Sequence, residues 1–222
     1  MSGATIRAGH DPYRIGHRHP VLAAPDSTGH GEGGPAPQRI VVAYGFWIFL
    51  LSDIVMFSAF FATYAVLHGN TAGGPTAQQL FDLRNTGLET IFLLASSFAC
   101  GIASLAVEQR NQMFTQMALL ITGLLGLGFL LLELREFHNF ILRGAGPGRS
   151  AFLTAFFTLV GCHGLHITCG LLWLGTMMAQ FLAKGFRPYV ERRFMCFSLF
   201  WHALDIIWVA IFTLVYLIGK IT

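Results

Sequence analysis

Long apolar runs alternate with short polar stretches along most of this chain. Five runs are continuous enough to form transmembrane helices: residues 40–67, 90–107, 113–134, 151–182 and 194–218. A helix needs about 20 residues to cross a hydrocarbon core of roughly 30 Å, and the runs are near or above that length. The first and fourth runs exceed it, so we expect them to tilt or to extend into water. The pattern predicts an all-α fold, a polytopic membrane protein built as a bundle of five transmembrane helices.

The first 38 residues follow a different pattern. They are rich in Gly, Pro and His and hold few bulky apolar residues. Such a segment cannot bury enough apolar surface to offset the entropy lost on ordering. The sequence therefore predicts two parts, a disordered polar tail at residues 1–38 and a five-helix transmembrane domain at residues 39–222.

Composition and charge agree with a membrane protein. The chain is 54% hydrophobic and 11% charged, whereas soluble domains have about 25% charged residues. Placing the N-terminus inside gives the inner side nine of the 14 Lys and Arg residues and leaves five outside. This bias predicts a cytoplasmic N-terminus and an outward C-terminus. The net charge of +3 therefore reports topology, and we expect no nucleic-acid binding.

Small residues crowd the third and fourth runs. In lipid they let helix backbones approach closely, because the hydrophobic effect no longer drives helices together. We therefore expect close helix packing at six glycines: Gly123, Gly126, Gly128, Gly161, Gly164 and Gly170.

Ionisable side chains interrupt the apolar runs at membrane depth. Asp53 lies about 14 residues, or roughly 21 Å, into the first run. His202 and Asp205 share one helix face in the last run, because they are three residues apart. A charged group left alone there costs about 2.5–3.5 kcal/mol or more. For Asp53 the hypotheses are a proton relay, a lipid or cation contact, a transport site, or a protonated carboxyl bonded to a neighbouring helix.

Two histidines one turn apart, His163 and His166, raise the hypothesis of a metal or haem site. Imidazole suits both, and His202 could supply a ligand from another helix. A di-iron bundle would need Glu-x-x-His pairs on two helices, whereas Glu133 and Glu136 form only Glu-x-x-Glu. The sequence therefore favours interhelical hydrogen bonds and predicts no bound metal.

Five motifs, in order across residues 44–219, resemble subunit III of the haem–copper terminal oxidases. They are Tyr44-Gly45-Phe46-Trp47 with Ser52-Asp53, Asn111-Gln112-Met113, Glu136-Phe137, Gly161 with His163-Gly164-Leu165-His166, and Trp201-His202-x-x-Asp205-x-x-Trp208. The seven-helix cytochrome c oxidase form has two further helices and a glutamate where Asp53 stands. The chain therefore resembles the five-helix form of the ubiquinol-oxidising cytochrome bo branch.

The resemblance implies a subunit without a catalytic site or cofactor of its own, in a bacterial inner-membrane complex that oxidises ubiquinol, reduces dioxygen to water and pumps protons. It implies haems and copper in subunit I, and packing that stabilises subunit I and supports proton uptake. It also implies partner subunits I, II and IV, membrane lipids including structural phospholipid, a cytoplasmic N-terminus and a periplasmic C-terminus. The intramembrane polar contacts would then be Asp53, Glu89, Glu133, Glu136, His163, His166, His202 and Asp205.

Three alternatives stay open. Subunit III of a cytochrome c oxidase is one, because no residue identifies the electron donor. A stand-alone haem or metal enzyme would use His163, His166 and His202. A proton-coupled carrier would use Asp53, Glu133 and Asp205, but carriers commonly have internal repeats and broken helices, and the sequence has neither a repeat nor a mid-span proline.

Overall fold

Helices form nearly all of the chain that the structure, a computed structural model, describes, which is residues 38–221. In chain order they are α1 (Gln38–Leu67), the short α2 (Ala77–Leu80), α3 (Leu83–Glu108), α4 (Gln112–Leu142), α5 (Ala151–Lys184), α6 (Pro188–Ile211), a π-helical segment (Phe212–Leu217) and the short α7 (Ile218–Ile221). Five helical spans are long and apolar enough to cross a membrane, and residues 38–221 contain no strand. The predicted fold class is confirmed. Apart from Gln38, the predicted tail at residues 1–38 lies outside the described residues.

Polar residues in the connecting loops determine where three of the long helices begin. The first amides of a helix have no partner within the helix, so a side-chain oxygen that accepts from one of them stabilises the helix end. The caps are Asp82 on the Arg84 amide (3.1 Å), Asn111 on the Phe114 amide (3.2 Å) and Ser150 on the Leu153 amide (3.2 Å).

Three helices extend six or more residues beyond their apolar runs at one end. α3 begins at Leu83 rather than at residue 90, α4 continues to Leu142 rather than ending at 134, and α6 begins at Pro188 rather than at 194. The predicted limits were wrong because polar residues end an apolar run without ending a helix. A helix satisfies its backbone internally, so it continues through the interface until a cap or a turn stops it.

α6 lies at the centre of the bundle, where it contacts α1, α3 and α5, while α4 packs against α3 and α5. Trp201 is fully buried because two glycines leave room for its ring. A Cβ atom at Gly126 of α4 or Gly170 of α5 would come within 2.8 Å of a ring carbon of Trp201. The predicted close packing at these glycines is confirmed.

α1 is the peripheral helix. Only 11% of its apolar stretch is buried, against 33–44% in the other four spans. Large side chains such as Val55 and Val66 are more than two-thirds exposed. An apolar face of this kind is compatible only with lipid or with a helix of another protein.

The last span changes from α to π geometry at Phe212–Leu217. A π turn holds extra backbone and so alters which side chains face inward. Val215 and Tyr216 become fully buried there, and the Tyr64 hydroxyl lies 3.5 Å from the Val215 carbonyl oxygen. The segment thereby brings the Tyr216 hydroxyl to Glu136 on α4.

Candidate functional site

The polar pair of α6 faces α3. The Ser97 hydroxyl lies 2.7 Å from Nδ1 of His202 and also neighbours the Asp205 carboxyl. His202 and Asp205 are half-buried, and the buried Oδ1 of Asp205 has no hydrogen-bond partner within residues 38–221. The pair therefore contacts α3 through one serine, and one oxygen of the Asp205 carboxyl remains without a hydrogen-bond partner among the described residues.

Two tryptophans flank this pair and bind the same neighbouring helix. Trp201 Nε1 donates to Ser96 Oγ at 3.1 Å, and Ser96 Oγ donates onward to the Thr122 carbonyl oxygen of α4 at 2.8 Å. Trp208 Nε1 donates to Thr90 Oγ1 at 3.1 Å. Together these bonds connect α6 to α3 and α4 along about two turns of helix.

The two histidines of α5 have separate partners. His163 is fully buried, and its Nε2 donates to the Leu204 carbonyl oxygen of α6 at 3.2 Å. His166 Nδ1 donates to the Cys162 carbonyl oxygen in its own helix at 2.7 Å. Neither of these nitrogens points to a shared centre with His202, which binds Ser97. Within residues 38–221 no group of three or more His, Cys, Asp or Glu side chains could hold a metal ion.

Three glutamates form a second cluster, between α3 and α4. Glu89, Glu133 and Glu136 are 1%, 2% and 9% exposed, and their charges would act on one another. Glu136 Oε2 accepts a hydrogen bond from the Tyr216 hydroxyl at 2.8 Å. Both oxygens of Glu133 and Oε2 of Glu89 have no partner among the described residues. Glu133 lies so close to Gly164 of α5 that a Cβ atom there would come within 2.9 Å of Oε1.

A cavity of about 300 Å³ leads to this glutamate cluster from the end of the bundle where α3 begins and α4 ends. Glu89 and Glu136 form part of its wall. Exposed charged residues surround its opening: Asp82, Arg135, Arg143 and Lys220. Lys220 Nζ donates to the carbonyl oxygens of Gln78 and Phe81 at 2.6 and 3.0 Å, which fixes the last turn of the chain beside the opening.

Asp53 lies apart from both clusters, on the peripheral helix α1. It is half-buried, and its carboxyl neighbours the Cys162 thiol of α5. The structure therefore does not bring Asp53 together with Glu133 or Asp205, the residues that a carrier site would combine.

Several partner residues could not be identified from the sequence. Ser96, Ser97, Thr90 and Tyr216 each bind one of the aromatic or ionisable side chains described above. Ser, Thr and Tyr are common in membrane helices, so their presence alone carries little information. The pairing of Glu89 with the two glutamates of α4 depends on which helices are neighbours, which periodicity does not show.

Known proteins of one family resemble this chain along almost its whole length. Residues 24–220 match the family described as cytochrome c oxidase subunit III. The chain is 44% identical over 211 residues to the cytochrome bo(3) ubiquinol oxidase subunit 3 of Pseudomonas aeruginosa, covering 95% of both chains. It is 42% identical over 175 residues to the quinol oxidase subunit 3 of Bacillus subtilis, covering 79% of this chain and 86% of that one. It is 43% identical over 179 residues to the cytochrome c oxidase subunit 3 of Bacillus sp. strain PS3, covering 80% and 86%.

These matches confirm the family that the five motifs indicated. The five apolar spans and the bacterial relatives together identify a multi-pass bacterial membrane protein. The chain therefore belongs to the cytochrome c oxidase subunit III family, the third subunits of the haem–copper oxidases.

Proposed function

We propose that this chain is the non-catalytic third subunit of a bacterial ubiquinol oxidase, a complex that oxidises ubiquinol, reduces dioxygen to water and pumps protons. The observation that carries the proposal is the similarity to the Pseudomonas aeruginosa subunit over 95% of both chains. The bonding of the buried side chains supports it, because the histidines and tryptophans bind neighbouring helices.

The proposed role is to pack against catalytic subunit I, to stabilise it and to support proton uptake. The apolar face of α1 supports this role. It is far less buried than the other spans, and an adjoining transmembrane helix of matching apolar character would cover it. Structural phospholipid would fill what the partner subunits leave open.

In this proposal the haems and the copper reside in subunit I, and the assembly also contains subunits II and IV. The match to the subunit III family and the naming of its relatives as third subunits support a chain without a catalytic cofactor of its own.

The predicted polar residues would act as structural contacts inside the membrane. His202 and Asp205 would hold α6 against α3 through Ser97, and His163 would hold α5 against α6. Interhelical hydrogen bonds in membranes contribute about 0.6 kcal/mol on average, so the group of bonds matters more than any single one.

A cytochrome c oxidase is the second candidate assembly. The relative from Bacillus sp. strain PS3 favours it, at 43% identity over 179 residues. The electron donor would bind the other subunits in either case, so the role of this chain is the same. The relatives named above are oxidase subunits, and the residues that a carrier would use lie on three different helices, α1, α4 and α6.

The proposed orientation places the N-terminus in the cytoplasm and the C-terminus in the periplasm of the inner membrane. It rests on the distribution of Lys and Arg: nine would lie on the side of the membrane that holds the N-terminus, and five on the opposite side. Four of the nine cluster around the short turn between α5 and α6: Lys184, Arg187, Arg192 and Arg193. Basic residues in short loops near the membrane are those that set orientation.

Purification of the native assembly tests the proposal. The tagged chain, extracted from its own membranes in mild detergent, is expected to co-purify with haem- and copper-containing subunits and with quinol-dependent oxygen reduction. Oxygen reduction driven by reduced cytochrome c instead of quinol would favour the second candidate. Recovery of the chain without oxidase subunits would contradict both.

A further inference from the structure

Unpartnered polar atoms inside the bundle concentrate at the glutamate cluster, defined as Glu89, Glu133 and Glu136. Six buried side-chain oxygen or nitrogen atoms lack a hydrogen-bond partner within residues 38–221, and three of them belong to Glu89 and Glu133. The other three lie on three separate residues, so this cluster holds the largest share. Glu136 has a donor in Tyr216, whereas Glu133 has none on either oxygen.

Three ionised carboxyls cannot coexist in this position. Removing an unpaired carboxylate from water is very costly, and like charges that share a site raise the cost further. Within residues 38–221 the Tyr216 hydroxyl donates to Glu136 at 2.8 Å, whereas neither oxygen of Glu133 has a donor. Binding protons removes the charge, and the acid oxygens and hydrogens then need water as their partner.

The cavity brings water close to the cluster. It has a volume of about 300 Å³, and Glu89 lies in its wall with 1% of its surface open to water. At about 30 Å³ for each liquid water molecule, the space holds on the order of ten molecules. Glu133 lies one helical turn further from the end of α4 than Glu136, at a deeper level of the bundle.

The charged groups around the cavity disfavour both metal cations and anions as ligands. A metal cation would meet three basic side chains at the opening, and an anion would meet the glutamates inside. The groups that face the cluster or line the cavity are Gln79 from α2, Asp82 and Asn85 at the start of α3, Arg135, Asn139 and Arg143 at the end of α4, Gly164 from α5, Tyr216 from the π-helical segment and Lys220 from α7. Water and protons are the species that suit this mixed lining.

We propose that the glutamate cluster is a proton-binding site that exchanges protons with the solution through this cavity. In each uptake step a water-borne proton passes to a carboxylate oxygen and leaves neutral water behind, and release is the reverse. The cavity opens at the end of the bundle where α1 ends. In the proposed orientation this is the periplasmic face, so the site would buffer protons on the release side of the membrane.

Infrared spectroscopy of the whole purified oxidase tests the charge state directly. Protonated and ionised carboxyls absorb in separate regions, and only the protonated form shifts when its hydrogen is replaced by deuterium. At neutral pH, Glu89→Gln and Glu133→Gln are each expected to remove part of the carboxylic-acid band. Glu108→Gln, at the exposed far end of α3, is the matched control and should leave the band unchanged.

Transfer of the wild-type oxidase from H₂O to D₂O tests the exchange. The part of the band that the two variants remove is expected to shift within the mixing and measuring time. An unchanged band in both variants would show that the glutamates are ionised and would overturn the proposal. A band that both variants reduce but that stays unshifted in D₂O would overturn the exchange through the cavity.

A measurement on wild-type protein covers variants that do not assemble. The native oxidase at neutral pH is expected to show a carboxylic-acid band that shifts on transfer to D₂O. Absence of any shifting carboxylic-acid band in the native oxidase would contradict protonated carboxyls that exchange with water.

Discussion

Several polar side chains at membrane depth in this bundle have an identifiable partner on another helix. His202 binds Ser97, His163 binds the Leu204 carbonyl and Trp201 binds Ser96. Loss of one member leaves the other unsatisfied in a buried place, at a cost of about 1–3 kcal/mol. The helix contacts should therefore weaken, one by one, when single members are removed.

Replacing His202 by leucine tests this residue-scale view. The change removes the hydrogen bond between Ser97 and His202, which is 2.7 Å long. Leucine fills a similar volume but offers no hydrogen-bonding atom. We expect less assembled complex, by an amount that corresponds to about 1–3 kcal/mol, with normal turnover per assembled complex. The amount of chain retained in the purified oxidase and the oxygen consumption per haem measure the two effects.

His138→Leu is the matched control, because His138 is exposed near the end of α4 and should tolerate the change. A His202→Leu complex that assembles fully but does not reduce oxygen would assign a catalytic role to His202 and contradict the structural one.

Asp53 should react with a hydrophobic carbodiimide that enters from the lipid phase. It is half-buried on the peripheral helix, whose apolar face a lipid-soluble reagent can reach. Labelling is read by peptide mapping, with Asp53→Asn as the blank. The exposed Asp82, whose carboxylate caps α3 in water, should not react. No labelling of Asp53 even at low pH would show that it is charged or covered by a partner.

Element packing depends on glycines that face large rings. Gly126 and Gly170 lie on two helices, and both border the ring of Trp201 on a third. A side chain at either position would push the ring away from Ser96 and separate three helices at one point. In lipid such close packing is a main source of helix association.

Gly170→Ala should destabilise the bundle. Its Cβ atom would come within 2.8 Å of the buried Trp201 ring, and overpacking of this kind costs about 1–3 kcal/mol. Gly175→Ala in the same helix is the control, because no atom lies within 4 Å of the added Cβ and alanine favours helix. Thermal release of the chain from the detergent-solubilised oxidase should occur at a lower temperature in the first variant only. Equal release temperatures would contradict the packing account.

At this scale the apolar pattern predicted much of the structure. The five spans follow from run length, and the glycines predicted where helices approach. The helix ends did not follow, since residues such as Glu89 and Arg135 end an apolar run while the helix continues. The π-helical segment at Phe212–Leu217 leaves no trace in hydrophobic spacing, so the contact of Tyr216 with Glu136 could not be predicted.

The sequence predicted the individual residues of the candidate site, but it did not predict which of them lie together. His202 and Asp205 were recognised as one face of one helix, which local spacing determines. Glu89 lies beside Glu133 and Glu136 because α3 and α4 are neighbours in a definite register. Ser97 contacts His202 because α3 and α6 are neighbours as well. Such pairings depend on tertiary packing, which a single sequence does not reveal.

The whole molecule has the organisation of a supporting subunit. Several of its buried polar groups hold its own helices together, its most exposed span is apolar along its length, and its sequence matches the cytochrome c oxidase subunit III family along residues 24–220. We propose that the redox chemistry of the assembly belongs to its partners.

The reduced-minus-oxidised absorption spectrum of the isolated chain tests this account most directly. The chain is separated from the detergent-solubilised oxidase, and its spectrum is compared with that of the intact complex from the same membranes. The account predicts haem bands in the complex and in the remaining subunits, and none in the isolated chain. A haem difference spectrum in the isolated chain, in a constant ratio to protein, would contradict it.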